Sequence, residues 1–137
     1  MAIRPRLLFV CVENSNRSQM AEAFARLHGG DRVDAWSAGS RPSGVINPKA
    51  VASMRERGVD LLAAQRSKGL DDLPPVTWDW VVTMGCGDAC PHLPARNRDD
   101  WALPDPKHMP PAEFNAVRDE IERRVRALLK TCGVEVK

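Results

Sequence analysis

The chain has 137 residues, 43% of them hydrophobic and 28% charged, with a formal net charge of +2. These values suit one soluble globular domain over residues 1–137, and with no basic block they give no ground for a nucleic-acid partner. Arg4 and Arg6 precede an apolar run of residues 7–12 that is too short for a signal-peptide core or a membrane span; with no longer run elsewhere, a cytoplasmic protein without a membrane partner is expected.

Residues 7–12 read as a buried strand. A polar segment follows, and a helix is predicted over residues 18–28, with Met20, Phe24 and Leu27 on one apolar face and Gly29-Gly30 as its stop. Residues 32–38 alternate Val33, Ala35 and Ser37 against polar positions, the pattern of a strand. Residues 39–44 form a loop rich in Gly, Ser and Pro. Asn47-Pro48 opens a helix, Asn as N-cap and Pro in the first helical position, with Ala50, Val51 and Met54 on its buried side and Gly58 as the stop. Residues 61–66 fit no single period. Ser67 reads as the cap of a short helical turn ended by Pro74-Pro75. Residues 78–84 read as a strand buried on both faces, and residues 98–103 as a last short strand around Trp101. Residues 112–130 read as a strong helix, with Phe114, Val117, Ile121, Val125 and Leu128 three and four apart. The tail after Gly133 reads as loose.

Strands alternating with helices predict an α/β fold, a three-layer αβα arrangement with a mostly parallel sheet. Ligands in such sheets bind at the carboxyl ends of the strands. Two segments reach that edge. The first is Cys11-Val12-Glu13-Asn14-Ser15-Asn16-Arg17-Ser18. Successive N–H groups in such a loop converge on a tetrahedral oxyanion, and the following helix points its positive end at the same spot. Arg17 closes the ring with a two-pronged hydrogen bond. Cys11 stands at the base as the nucleophile, which acts as a thiolate. Ser18 donates to that thiolate, caps the helix, or does both. Asn14 is read as holding the loop's shape through side-chain bonds to backbone.

The second segment carries Cys86 and Cys90, with Gly85 and Gly87 giving the backbone room to bend. The four cysteines are Cys11, Cys86, Cys90 and Cys132. In a reducing cytosol they are not expected to be structural disulfides. Three readings of the Cys86/Cys90 pair stand: a redox pair serving Cys11, two buried thiols, or a zinc site recruiting His92 and His108. Cys132, in the tail, reads as a bystander. No role is assigned to His28.

These residues resemble the thioredoxin-coupled arsenate reductases built on the low-molecular-weight protein tyrosine phosphatase fold. The resemblance covers nearly the whole chain. It rests on residues 11–21 (CVENSNRSQMA), Ser37-Ala38-Gly39, Asn47-Pro48-Lys49-Ala50, residues 81–90 and Asp105-Pro106. It implies a four-stranded parallel sheet flanked by helices, with Cys11 as nucleophile, Arg17 as oxyanion clamp and Asp105 as proton donor. It further implies Cys86 and Cys90 as relay thiols, arsenate as substrate with phosphate or sulfate as competing oxyanions, thioredoxin as reductant, a monomer, and no cofactor. Some members of the family bind potassium near this loop. Asn14, Glu22 and Ser37 match that site, but Lys68 stands where an acidic partner belongs, so no metal is expected. Phosphatase relatives share Cys11, Arg17, Ser18 and Asp105 and usually carry an aromatic residue directly after the Asp-Pro pair; this chain has Lys107 and no Tyr. A phosphatase acting on phosphotyrosine or small phosphate esters, and a non-catalytic redox sensor, are the rival readings.

Overall fold

The computed structural model describes residues 4–85 and 93–136. Strands β1 (Arg6–Cys11), β2 (Asp34–Gly39), β3 (Trp78–Thr83) and β4 (Ala95–Asp100) form one all-parallel sheet in the order β2-β1-β3-β4. The apolar run of β1 is buried throughout after Arg6, as suits a strand with neighbours on both edges and cover on both faces. The chain steps from β1 to β2 on one side and then crosses to β3 on the other. The direction of winding therefore reverses between β1 and β3, and the crevice beyond their carboxyl ends is where such a sheet can seat a ligand. Cys11 ends β1 at that crevice, opposite Gly39 of β2.

The helices are α1 (Arg17–Gly29), α2 (Pro48–Arg55), the single turn α3 (Leu61–Ala64) and α4 (Pro111–Thr131). The alternation of β1 sorts the core. Leu7 and Phe9 pack with Met20 and Phe24 of α1, Met54 of α2, and Phe114 and Ile121 of α4. Leu8 and Val10 face the other way, onto Ala38, Trp78 and Val81. That second face is covered by Leu70, Leu73 and Val76 and by Trp36, whose ring meets Trp78 edge-on at 6.3 Å. Among the described residues no helix is long and apolar enough to cross a membrane.

Local signals set several boundaries directly. Asn47 Oδ1 accepts from Lys49 N at 2.9 Å and Pro48 is the first residue of α2, so cap and helix start coincide with the sequence reading. Three expectations are corrected. The last strand is residues 95–100 rather than 98–103: its sequence ARNRDD is exposed and has no apolar alternation, so backbone pairing with β3 alone defines it. Trp101 lies just beyond it and packs on Phe9 at 5.9 Å. Ser67 caps nothing; the short turn is Leu70–Asp72, led by Gly69, and Ser67 Oγ donates instead to Glu13 O. The tail is not loose through residue 134. Gly133 takes φ 77°, its N–H returns to Lys130 O and that of Val134 to Leu129 O, a Schellman closure that buries Val134.

A charged cluster ties the helices on the thicker face. Glu122 of α4 takes Arg57 Nη2 at 2.9 Å on both carboxylate oxygens and His28 Nε2 of α1 at 2.6 Å. Burial pushes the Glu122 carboxyl up, but the hydrogen bonds from Arg57 and His28 outweigh it and hold the group below its ordinary range. A folded-state value below the unfolded one contributes stability above the unfolded value, and that contribution is lost as pH falls through the folded value. Urea unfolding followed from neutral pH down to about pH 3 should therefore show native stability falling more steeply than that of Glu122→Gln. A second prediction concerns Gly39. A Cβ there would lie 2.5 Å from Val12 O, 2.9 Å from Asn14 N and 3.0 Å from the Glu13 carbonyl carbon, all backbone atoms of the Cys11 loop. Gly39→Ala should lower stability by about 1–3 kcal/mol and weaken phosphate binding, read by urea unfolding and phosphate titration.

Candidate active site

The segment after β2 wraps the outside of the Cys11 loop and collects its carbonyls. Ser40 N, Arg41 N, Ser43 N and Asn47 N donate to the carbonyls of Cys11, Val12, Glu13 and Ser15 at 2.8 to 3.3 Å. Asn14 O accepts from Gln19 Nε2 and Asn16 O from Met20 N. The surrounding chain thus takes up the loop's carbonyls. Among the described residues, no N–H of residues 13–18 donates to an acceptor. Helix α1 begins at Arg17 and its first turn has no side-chain cap. Ser18 is therefore not the cap; it lies inside the helix, fully buried.

Asn14 is the hub that fixes this shape. It sits at φ 52°, in the left-handed region that Asn tolerates better than most residues. Its Oδ1 accepts from the Lys68 backbone N–H at 2.9 Å and from Gln19 Nε2 at 2.8 Å. A backbone N–H can only donate, so this fixes which way the amide faces and aims Nδ2 at Ser18 Oγ, 2.8 Å away. Ser18 Oγ lies 2.8 Å from Cys11 Sγ. Since Asn14 Nδ2 can only donate to Ser18, the Ser18 proton is left for the Cys11 sulfur. The chain of donors runs further back. Gln65 Nε2 donates to Gln19 Oε1 at 2.7 Å. The sequence reading missed Gln19 and Gln65. The one available signal was a Gln directly after Ser18 on the buried side of a helix, where an amide needs partners.

Arg17 is buried and gripped by backbone. Its Nη1 donates to Met84 O at 2.7 Å and Leu103 O at 2.9 Å, which holds the guanidinium between the end of β3 and the segment leading to Asp105. Gly85, at φ 73°, lies against it: a Cβ there would sit 3.6 Å from Arg17 Nη1. Asp105 is exposed and its Oδ1 accepts from Lys107 N at 3.0 Å. Lys107 Nζ reaches the Glu13 carboxylate at 3.3 and 3.4 Å. The segment bearing Asp105 is thus held at Leu103 by Arg17 and at Lys107 by Glu13. Cys86 and Cys90, with His92, lie outside the described residues. Cys132 is at the opposite edge of the sheet, beside Arg6, Asp34 and Asp79, where burial and then the Asp79 charge push its thiol up.

Lys68 answers the question of a cation. Its Nζ is 3.2 Å from Glu22 Oε1, 3.4 Å from Ser37 Oγ and 3.5 Å from Arg66 O, and Glu22 Oε2 lies 2.6 Å from Arg26 Nη2. Ser37 Oγ itself donates to Glu22 Oε1 at 2.5 Å. The oxygens that would face a potassium ion are served by an ammonium on the chain, so the residues present do not fit the metal. Lys68→Met leaves the buried Glu22 with only the partly exposed Arg26 as a charged partner, and should lower stability by about 2 kcal/mol in urea unfolding, whereas Lys68→Arg should recover most of it.

Comparison with known proteins gives a consistent result. An arsenate reductase of Bacillus licheniformis is 39% identical over 135 residues, covering 91% of this chain and 95% of that protein. A solved arsenate reductase in its phosphate-binding state superposes with a TM-score of 0.81 at 33% identity, over 93% of this chain and 98% of the other. The thioredoxin-dependent arsenate reductase of Corynebacterium glutamicum gives 0.74 at 34% identity, over 93% of this chain and 61% of its own. Matched from residue 6 to residue 137, the chain belongs to the low molecular weight phosphotyrosine protein phosphatase family.

Proposed function

We propose that this chain is an arsenate reductase, a single cytoplasmic domain over residues 1–137 that draws its electrons from thioredoxin. The observation that supports it best is the Cys11 loop: carbonyls taken up by the surrounding chain, N–H groups without an acceptor among the described residues, Ser18 on the thiol, and Arg17 gripped at Met84, two residues before Cys86. Arsenate and phosphate are both tetrahedral oxyanions, so the loop serves either. Reduction differs from hydrolysis in needing two electrons, and the Cys86/Cys90 pair is their source in this reading. The relatives named above carry the same activity.

The arsenate oxygens take the loop N–H groups and the Arg17 fork, and the Cys11 thiolate attacks arsenic. Asp105 protonates the departing hydroxide as general acid. The adduct holds an arsenic–sulfur bond. The Cys86 thiolate then attacks the Cys11 sulfur, the bonding pair moves to arsenic, arsenite leaves, and a Cys11–Cys86 disulfide remains. Cys90 attacks Cys86, which frees the Cys11 thiolate and forms Cys86–Cys90, and the thioredoxin dithiol reduces that disulfide by the same exchange.

Arsenate supplied with thioredoxin, thioredoxin reductase and NADPH should drive NADPH loss that Cys11→Ser abolishes. Turnover of an aryl phosphate without NADPH loss would favour the phosphatase reading instead. The relay order makes a sharper prediction. Cys90→Ser should yield one equivalent of arsenite and stall as a Cys11–Cys86 disulfide, while Cys86→Ser should yield none. Mass mapping of the trapped disulfides reads the result. A normal arsenite yield from Cys86→Ser with a Cys11–Cys90 bond would reverse the order.

A further inference from the structure

The oxyanion loop contains a residue that works against its own chemistry. Glu13 puts a carboxylate on a loop whose N–H groups gather to bind an anion, and its side chain is 40% exposed. A carboxylate near a seated dianion repels it. Glu13 is fixed in place, since its carbonyl accepts from Ser43 N at 3.0 Å and from Ser67 Oγ at 3.1 Å. Lys107 reaches that carboxylate from the facing segment, and its own backbone is fixed at both ends. Its N–H donates to Asp105 Oδ1, and its carbonyl accepts from Lys49 Nζ at 3.1 Å. The segment from Leu103 to Lys107 thus starts on the Arg17 guanidinium and ends on Glu13, with Asp105 between them. The ion pair joins the Cys11 loop to the segment that carries Asp105.

We propose that the Glu13–Lys107 pair determines specificity: it spans the mouth of the Cys11 loop, admits a small inorganic oxyanion, and keeps out the organic group of a phosphate monoester. The reading rests on the Cys11 loop as the oxyanion site. An arsenate or phosphate ion is seated whole on the loop N–H groups and the Arg17 fork. With Lys107 in place, the Glu13 carboxylate on that loop is neutralised. An ester differs only in the group on its bridging oxygen, which must project away from the loop floor, toward the facing segment. There the pair stands in its way. Letting that group through breaks the pair and returns a bare carboxylate beside the phosphate. Size and charge therefore act together, and both act on the ester alone. Each side chain is close to half exposed, so the pair contributes little to folding and its removal leaves the loop intact.

Four proteins separate these effects: native, Lys107→Ala, Glu13→Gln, and Glu13→Gln with Lys107→Ala. Each is measured twice, by calorimetric titration with inorganic phosphate and by kcat/KM for p-nitrophenyl phosphate. Lys107→Ala unmasks Glu13 and should weaken phosphate binding about fivefold at low salt, an effect that shrinks as salt is raised. The double variant should bind phosphate within about twofold of native, since the repelling carboxylate is gone with its partner. Its kcat/KM for the ester should rise about tenfold or more over native, because the bridging side chains and their charges are then gone. Unchanged phosphate affinity in Lys107→Ala, or a double variant no faster than native on the ester, overturns the proposal. Failure of the underlying reading looks different: native protein and Arg17→Lys would then titrate alike with phosphate, and the proposal would fall with it.

Discussion

A loop whose own N–H groups find no acceptor among the described residues cannot use those groups to hold itself in place. That constraint governs the carboxyl edge of this sheet. The loop is held from outside instead, by carbonyl bonds to the segment after β2 and by the side chain of Asn14. Asn14 suits the task for two reasons. It tolerates the left-handed backbone that turns the loop, and its amide both donates and accepts. The Gln65–Gln19–Asn14–Ser18–Cys11 series of donors then gives the thiol an oriented partner without placing a base beside it.

The same constraint explains why the site draws on distant parts of the chain. Gly39 is needed because β2 ends where the loop passes, with no room for a Cβ. Arg17 needs carbonyls at Met84 and Leu103 to hold a cation that is largely buried. Lys68 lends its backbone N–H to Asn14 and its ammonium to Glu22, so one residue braces the loop and neutralises a fully buried carboxylate. The winding reversal between β1 and β3 brings these pieces to one crevice.

What the sequence showed and what it hid divide along physical lines. The Cys11 loop, its strand and its helix were legible because their signals are local: an apolar run, a polar turn, then a 3.6-residue period. Asn47-Pro48 was legible for the same reason. β4 was not, because an exposed strand of Ala, Arg, Asn and Asp carries no alternation, and Trp101 drew the reading toward a position where its ring serves the core instead. Gln19 and Gln65 are 46 residues apart, and nothing in either neighbourhood announces that two amides meet. Lys68 was noticed as out of place for a metal site, but only the folded chain shows that its ammonium turns inward to Glu22.

Cys132 has a consequence for any chemistry that moves disulfides through this chain. Exchange goes forward only where a thiolate can reach a disulfide sulfur, and each additional reactive thiol is a side exit from the sequence. Cys132 sits at the far edge of the sheet from Cys11, partly buried, in surroundings that disfavour its thiolate. Distance and protonation together set it apart from Cys11.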